Sequence, residues 1–227
     1  MGDEDERIAR LFETAIGKQV EATARAISAG DSVDDAFDPA PVRDAYRETW
    51  LTVAPLFAGY MFDALEDATK EFSEDDLAAW ETAATEYVEG QVANEKIKLV
   101  NDTTRDFFRS TVSTGIESGM SAQQVANLVT DRWDELKGFR SMRIARTEIV
   151  GAANFGSLQG AQSTGLDLVK VWVTTPDNRT RDTHRLMSGS RAPIGEPFDN
   201  GLDHPGDPSG PAGEIINCRC TMRYEVL

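Results

Sequence analysis

From Thr175 to Gly213 the sequence is punctuated by Pro176, Pro193, Gly195, Pro197, Gly201, Pro205, Gly206, Pro208, Gly210 and Pro211. No apolar period in this stretch is long enough to build a helix or a buried sheet of its own. A connection of this length inside a folded chain is functional or is held down by something other than its own core. The flanks supply candidates for that role. Upstream, Val169 to Thr174 alternates with β-rich composition and predicts a strand; downstream, Cys220 to Val226 predicts a second.

The preceding sequence has a different period. Ile8, Leu11, Phe12, Ala15 and Ile16 recur at spacings of three and four within a helix predicted from Glu4 to Ala29, which Gly30 and Asp31 terminate. Val42, Tyr46, Trp50, Phe57, Met61 and Leu65 mark a second helix starting after Pro41, with a kink or break expected at Pro55. Ser73 with Asp76 and Ser121 with Gln124 carry the spacing of capping boxes. The first leads a stripe running toward Val100. A further helix is predicted from about Thr103 to Ile116, with Gly119 breaking the chain after it. From Phe139 to Thr164 the residues Ala145, Gly151, Ala152, Ala153, Gly156, Gly160 and Ala161 leave little bulk, so this helix can approach a neighbouring backbone closely and needs tertiary contacts to offset its glycines. These patterns give an α+β chain: an acidic helical region over 1–138, then a region over 139–227 with one helix, a small sheet and the Gly/Pro loop.

Charge follows the same division. Residues 1–139 hold 13 basic and 29 acidic residues, whereas 140–227 hold 10 of each, so the formal net charge of −16 lies in the helical part. Such a field repels nucleic acid at low ionic strength and argues against a freely acting DNA-binding domain. No window offers the ~18 uninterrupted apolar residues of a membrane span, and MGDEDER lacks a basic leader, so no membrane association or targeting is expected. The basic residues comprise 17 Arg and 6 Lys, against 21 Asp and 18 Glu. That balance fits a halophilic host, in which salt screens the repulsion among surface carboxylates, and equally an ordinary acidic protein.

Both histidines and both cysteines fall in the final third, within TTPDNRTRDTH and HPGDPSGPAGEIINCRC. His184, His204, Cys218 and Cys220 could make a tetrahedral zinc site, with Asp177 as a substitute for His204, and so tether the loop to the terminal strand. The alternative is two buried thiols and two surface histidines, since Cys-x-Cys is less specific than the usual Cys-x-x-Cys knuckle. Arg179, Arg181, Arg185, Arg219 and Arg223 form a guanidinium-rich group suited to phosphates of DNA or to a partner's carboxylates, or to simple pairing with Asp177, Asp182, Glu214 and their neighbours. Arg146 and Glu148 read as an ion pair or capping group within their helix. HExxH, P-loop and nucleophile-elbow motifs are absent, so no catalytic residue is assigned and a non-enzymatic chain is expected. The rival is a metal-dependent hydrolase or nuclease built from Glu148, Asp177, His184 and the cysteines.

Taken in order, ARTE, the small-residue helix, KVWVTTPDNRTRDTH, PGDPSGPAGE and terminal NCRC resemble the phage Mu protein F-like family. These are minor head proteins of tailed phages, often described as head morphogenesis proteins. The resemblance is specific over about 140–227 and weaker over the preceding helices. Asp177, Arg179, Arg181, His184, Asn217, Cys218, Arg219 and Cys220 match signature positions, and His204 matches less firmly. The resemblance implies a virion head protein at the portal vertex, present in the host cytoplasm during assembly and acting in head assembly and genome packaging or delivery. Its implied partners are the portal protein, the major capsid protein and packaged double-stranded DNA. With the acidic, Lys-poor composition it suggests a tailed virus of a halophilic archaeon.

The charge of −16 predicts a melting temperature higher in molar salt than at low salt, because at about 1 M screening confines carboxylate repulsion to ~3 Å. Thermal unfolding across a salt series measures this, and a chain most stable at low salt would contradict it.

Overall fold

The computed structural model describes residues 2–65 and 71–227. In chain order its helices and strands are α1 Gly2–Ala29, α2 Val33–Ala36, α3 Ala40–Leu65, α4 Glu74–Glu89, α5 Gln91–Glu117, α6 Ala122–Ser163, β1 Leu168–Val173, α7 Asp182–Met187, β2 Arg191–Pro193, α8 Ala212–Ile215 and β3 Thr221–Val226. The fold is α+β, with helices first and one three-stranded antiparallel sheet ordered β2-β1-β3.

Contacts divide the chain into two compact units, Met1–Tyr46 with Asn94–Ala145, and Arg47–Ala93 with Arg146–Leu227. The composition-based boundary at 138/139 lies inside α6, and the contacts group 47–93 with the C-terminal segment. In the first unit the predicted stripe of α1 is buried at Ile8, Phe12, Ala15 and Ile16. A buried amide pair adds specificity there, with Gln19 donating to Asn101 Oδ1 at 2.8 Å and to Asp38 O at 2.7 Å.

The second unit carries the sheet and the loop. Here the small residues of α6 meet α3 at backbone distance. A Cβ added at Gly156 would lie 2.0 Å from the Ala54 carbonyl oxygen, and one added at Gly160 would lie 2.1 Å from that of Ala58. Only glycine permits this approach. Aromatic rings fill the space around it: Trp50 stacks on Tyr87 with centroids 4.0 Å apart, and Trp80 donates to Ser163 Oγ at 2.9 Å. On the other side, Leu158 of α6 enters a cluster with Trp172 of β1, Ala192 of β2, Met222 of β3, and Phe198, Leu202, Cys218 and Cys220 from the loop and its exit. The long loop contributes Phe198 and Leu202 to this core, with Met187 and Ile194 packed against it, and polar contacts hold much of the rest.

Several expectations hold. Both capping boxes form, with Ser73 N donating to Asp76 Oδ2 at 2.9 Å and Ser121 N donating to Gln124 Oε1 at 2.8 Å. Gly30 and Gly119 adopt positive φ of 86° and 70° where α1 and α5 end. Others change. Pro55 sits inside a continuous α3, because Val53, Ala54 and Ala58 around it are buried and tertiary packing compensates for the lost hydrogen bond. The break expected near residue 100 falls at Gly90 instead, and the segments 122–133 and 139–163 join as one 42-residue helix. The edge strand β2 and helices α7 and α8, each six residues or fewer, lie in the stretch that sequence periodicity could not read.

Gly156→Ala and Gly160→Ala are expected to destabilise the protein by about 1–3 kcal/mol or more, since the backbone must separate to admit a methyl group. Gly138→Ala, in the same helix with open space around it, is expected to stabilise by roughly 0.5–1 kcal/mol. Urea unfolding of the three variants gives the comparison, and equal effects at 138 and 156 would refute the close-packing account.

Candidate functional site

The sequence NCRC is shaped by an unusual backbone residue. Asn217 adopts φ 55°, the left-handed region, directly after the short helix α8. Asparagine tolerates that conformation better than most residues. The turn is fixed by Cys218 N donating to Ile215 O at 3.0 Å and by Asn217 N donating to Thr147 Oγ1 at 3.0 Å. Cys218 and Cys220 then project inward, while Arg219 between them points the other way. Asn154 on α6 holds the exit, donating to Cys220 O at 3.0 Å and to Pro205 O at 2.9 Å, while its own oxygen accepts from Thr221 Oγ1 at 3.1 Å. A buried amide with its donors and acceptor all engaged is a strong positional constraint.

His184 reaches the same point from α7. Its Nδ1 lies 3.3 Å from Cys220 Sγ and 3.8 Å from Cys218 Sγ, and all three residues are buried. On the other side of the ring, His184 Nε2 donates to Glu214 Oε2 at 2.9 Å, and the same oxygen accepts from Thr183 Oγ1 at 3.0 Å. Trp172 packs edge-on against the imidazole with centroids 6.0 Å apart. The two thiols do not titrate alike. A hydrogen bond from Cys218, aided by Trp172 and His184, holds Cys220 below the ordinary thiol range; the thiolate of Cys220 and burial push Cys218 above it. Among the described residues, His184, Cys218 and Cys220 are a group able to hold a metal ion.

The four-ligand expectation is corrected at His204. That residue is buried elsewhere in the second unit, where its Nδ1 faces Pro205 O at 3.2 Å and its ring meets Phe155 edge-on. It lines a cavity of about 220 Å³ with Lys170, Asp203 and Asp207, and burial lowers its pKa. Neither histidine is on the surface, because the loop folds both of them inward. Asp177 is corrected as a substitute ligand for a different reason. Its two carboxylate oxygens receive the Arg219 guanidinium at 2.5 and 2.7 Å, and Arg179 N donates to it at 2.9 Å. The fork to Arg219 holds its carboxyl well below the usual range.

The arginines expected to contact DNA or a partner have contacts within the chain. Arg219 holds Asp177; Arg181 donates to Ile216 O at 2.5 Å; Arg185 pairs with Asp182 at 2.7 Å; Arg223 pairs with Glu225. Arg179 is 3.5 Å from Asp177 and keeps 78% of its side chain exposed, more than the other four. Glu148 is buried on α6 and accepts from Trp50 Nε1 at 3.1 Å, which ties it to the α3–α6 packing.

Sequence reasoning missed Glu214, Trp172 and Asn154. Glu214 lies four residues before Cys218, on α8, and its meeting with His184 of α7 is a tertiary contact. Asn154 did carry a signal, being the one amide within the small-residue run GAANFG.

Residues 106–223, just over half of the chain and including His184, Cys218 and Cys220, match the family described as Phage Mu protein F like protein. Over 139 residues, 59% of this chain, it is 28% identical to the NAD(+)–arginine ADP-ribosyltransferase EFV of Enterococcus faecalis (strain ATCC 700802 / V583). The chain spans 28% of that relative's length. No solved structure matches it.

Because the folded-state pKa of Asp177 is depressed, its contribution to stability is fully present above the unfolded value of about 3.9 and is lost as pH falls through the folded value. Asp177→Asn is therefore expected to lower the melting temperature near neutral pH, with the gap to the parent closing on strong acidification. Melting curves across pH test this; a gap that persists unchanged in acid would contradict the assignment.

Proposed function

The chain belongs to the Phage Mu protein F like family, a family of phage head morphogenesis proteins, and from that membership we propose that it is a minor head protein of the virion, seated at the portal vertex. Its role there is structural: it takes part in head assembly and in packaging or delivery of the genome, with the portal protein as principal partner and the major capsid protein and packaged DNA as neighbours. The observation that carries this reading is the family match over 106–223, which takes in the strand, the Gly/Pro loop and the NCRC turn as one continuous unit.

The charge distribution supports a division of labour. The helical part, with 13 basic and 29 acidic residues over 1–139, is suited to protein partners that present cations; residues 140–227 are balanced and carry the arginines, of which Arg179 is the most available to a phosphate. High salt, as in a halophilic host, would lower the repulsion between this acidic chain and packaged DNA. Among the described residues no helix is long and apolar enough to cross a membrane. The role is non-enzymatic in this reading. Of the groups considered for a hydrolase centre, Asp177 is engaged by Arg219 and Glu148 accepts from Trp50, contacts that suit a structural role.

Cryo-electron microscopy of heads purified from the encoding virus, reconstructed without icosahedral symmetry, is expected to show this chain around the portal vertex. Its absence from the particles, or an even distribution over the capsid lattice, would overturn the proposal.

A further inference from the structure

We propose that His184 Nδ1, Cys218 Sγ and Cys220 Sγ bind a zinc ion that fastens α7 to the start of β3. This inference stands on the geometry of the site and not on the head-protein reading.

The first support is metric. Tetrahedral zinc with Zn–S of about 2.3 Å and Zn–N of about 2.0–2.1 Å places a nitrogen and a sulfur ligand about 3.6 Å apart. The observed separations from His184 Nδ1 are 3.3 Å to Cys220 Sγ and 3.8 Å to Cys218 Sγ. Both nitrogen–sulfur separations therefore come within a few tenths of an ångström of the required value, and the three ligand atoms all lie within 4.8 Å of one another.

The second support is the direction of the imidazole. Glu214 accepts from His184 Nε2 at 2.9 Å, and its position is fixed in turn by Thr183. A proton on Nε2 leaves the lone pair of Nδ1 facing the two sulfurs. Metal-binding histidines characteristically donate their second ring nitrogen to a carboxylate in this way, which sets the tautomer and strengthens the ligand. Without an ion, only weak thiol hydrogen bonds hold these three buried atoms together.

The third support is the surrounding shell. The Trp172 indole N–H is buried without a hydrogen-bond partner of good geometry, and it lies beside the Cys220 sulfur. A metal-bound thiolate would be a stronger acceptor for this N–H than a neutral thiol. The backbone carbonyl of Cys220 is meanwhile fixed by Asn154, so the ligand turn is held before an ion arrives. Two thiolates and one imidazole form a soft to borderline set, which selects zinc over magnesium or calcium. Binding displaces the thiol protons to solvent, leaves a net neutral centre, and keeps the fourth tetrahedral position for water. The ion adds a metal cross-link to the polar contacts that already hold the loop between β1 and β3.

The whole chain, produced in zinc-supplemented medium and purified in reductant without chelators, is expected to retain stoichiometric zinc by elemental analysis. Replacement by cobalt should give thiolate-to-metal charge-transfer absorption and the intense visible bands of a tetrahedral centre. Cys218→Ser and Cys220→Ser should each abolish the charge-transfer signature of a two-thiolate centre, while His204→Gln and Asp177→Asn leave it intact. Glu214→Gln should weaken zinc affinity about 10–100-fold without removing a ligand, measured by competition with a chromogenic chelator. The proposal is overturned if the parent chain neither retains zinc nor gives the cobalt spectrum. It is equally overturned if His204→Gln loses metal as completely as Cys220→Ser, or if the two cysteines are found joined as a disulfide. Because the decisive arm uses the parent chain, misfolding of a variant does not blur the result.

Discussion

At Gly156 and Gly160 the backbone of α6 lies against the carbonyls of Ala54 and Ala58 on α3, and the second unit is built outward from that contact. Dispersion between two backbones in direct contact is dense, and no side-chain entropy is lost in forming it. The close approach fixes the rotation of α6. Once that is fixed, Leu158 faces the sheet, Asn154 faces the start of β3, and Glu148 meets the indole of Trp50. A methyl group at either glycine would displace all of these together, which is why so small a change is expected to be felt so widely.

The Gly/Pro loop shows how a segment without periodicity is ordered by polar contacts distributed along it. Asp177 and Arg219 close its start against its end, and Thr175 Oγ1 donates to Arg219 O at 2.9 Å across the same junction. Further along, Lys170 crosses from β1 to donate to Asp203 O at 2.7 Å, and Asp207 accepts from the backbone N–H of Asp203 and of Ser209, each at 2.8 Å. Burial alone would raise the carboxyl pKa of Asp207; the adjacent His204 and these two donors outweigh it. Lys170 is buried with its ammonium over the Phe198 ring, and desolvation lowers its pKa. Groups that are ordinarily solvated here replace the hydrophobic core that the loop cannot form. The thiol–imidazole cluster sits at the same junction, where a zinc ion would add the strongest of these restraints.

The resemblance to minor head proteins rested on residues whose individual purposes the fold now separates. Asp177, Arg181, Asn217 and Arg219 secure the loop, whereas His184, Cys218 and Cys220 converge on a single point. The five arginines suited either a surface for phosphate or pairing within the chain, and most are turned toward carboxylates and carbonyls of their own chain. Composition cannot distinguish the two outcomes, because an arginine that supports a turn and one that grips a partner are the same residue in a string of letters.

The sequence by itself determined the helix-to-sheet order, both capping boxes, the helix ends at Gly30 and Gly119, the strands beside the loop, and the two cysteines and the histidine of the candidate site. Those are local properties, set by periodicity, capping chemistry and the alternation of a Cys-x-Cys segment. Only the tertiary structure decided that Pro55 stays within α3, that α6 runs unbroken, that His204 turns into a cavity away from the thiols, that Asp177 pairs with Arg219, and that Glu214 accepts from His184. Each of these depends on a partner many residues away in sequence or on a turn whose direction a single φ sets. The free energy that decides them is that of packing and pairing, which no short window of sequence contains.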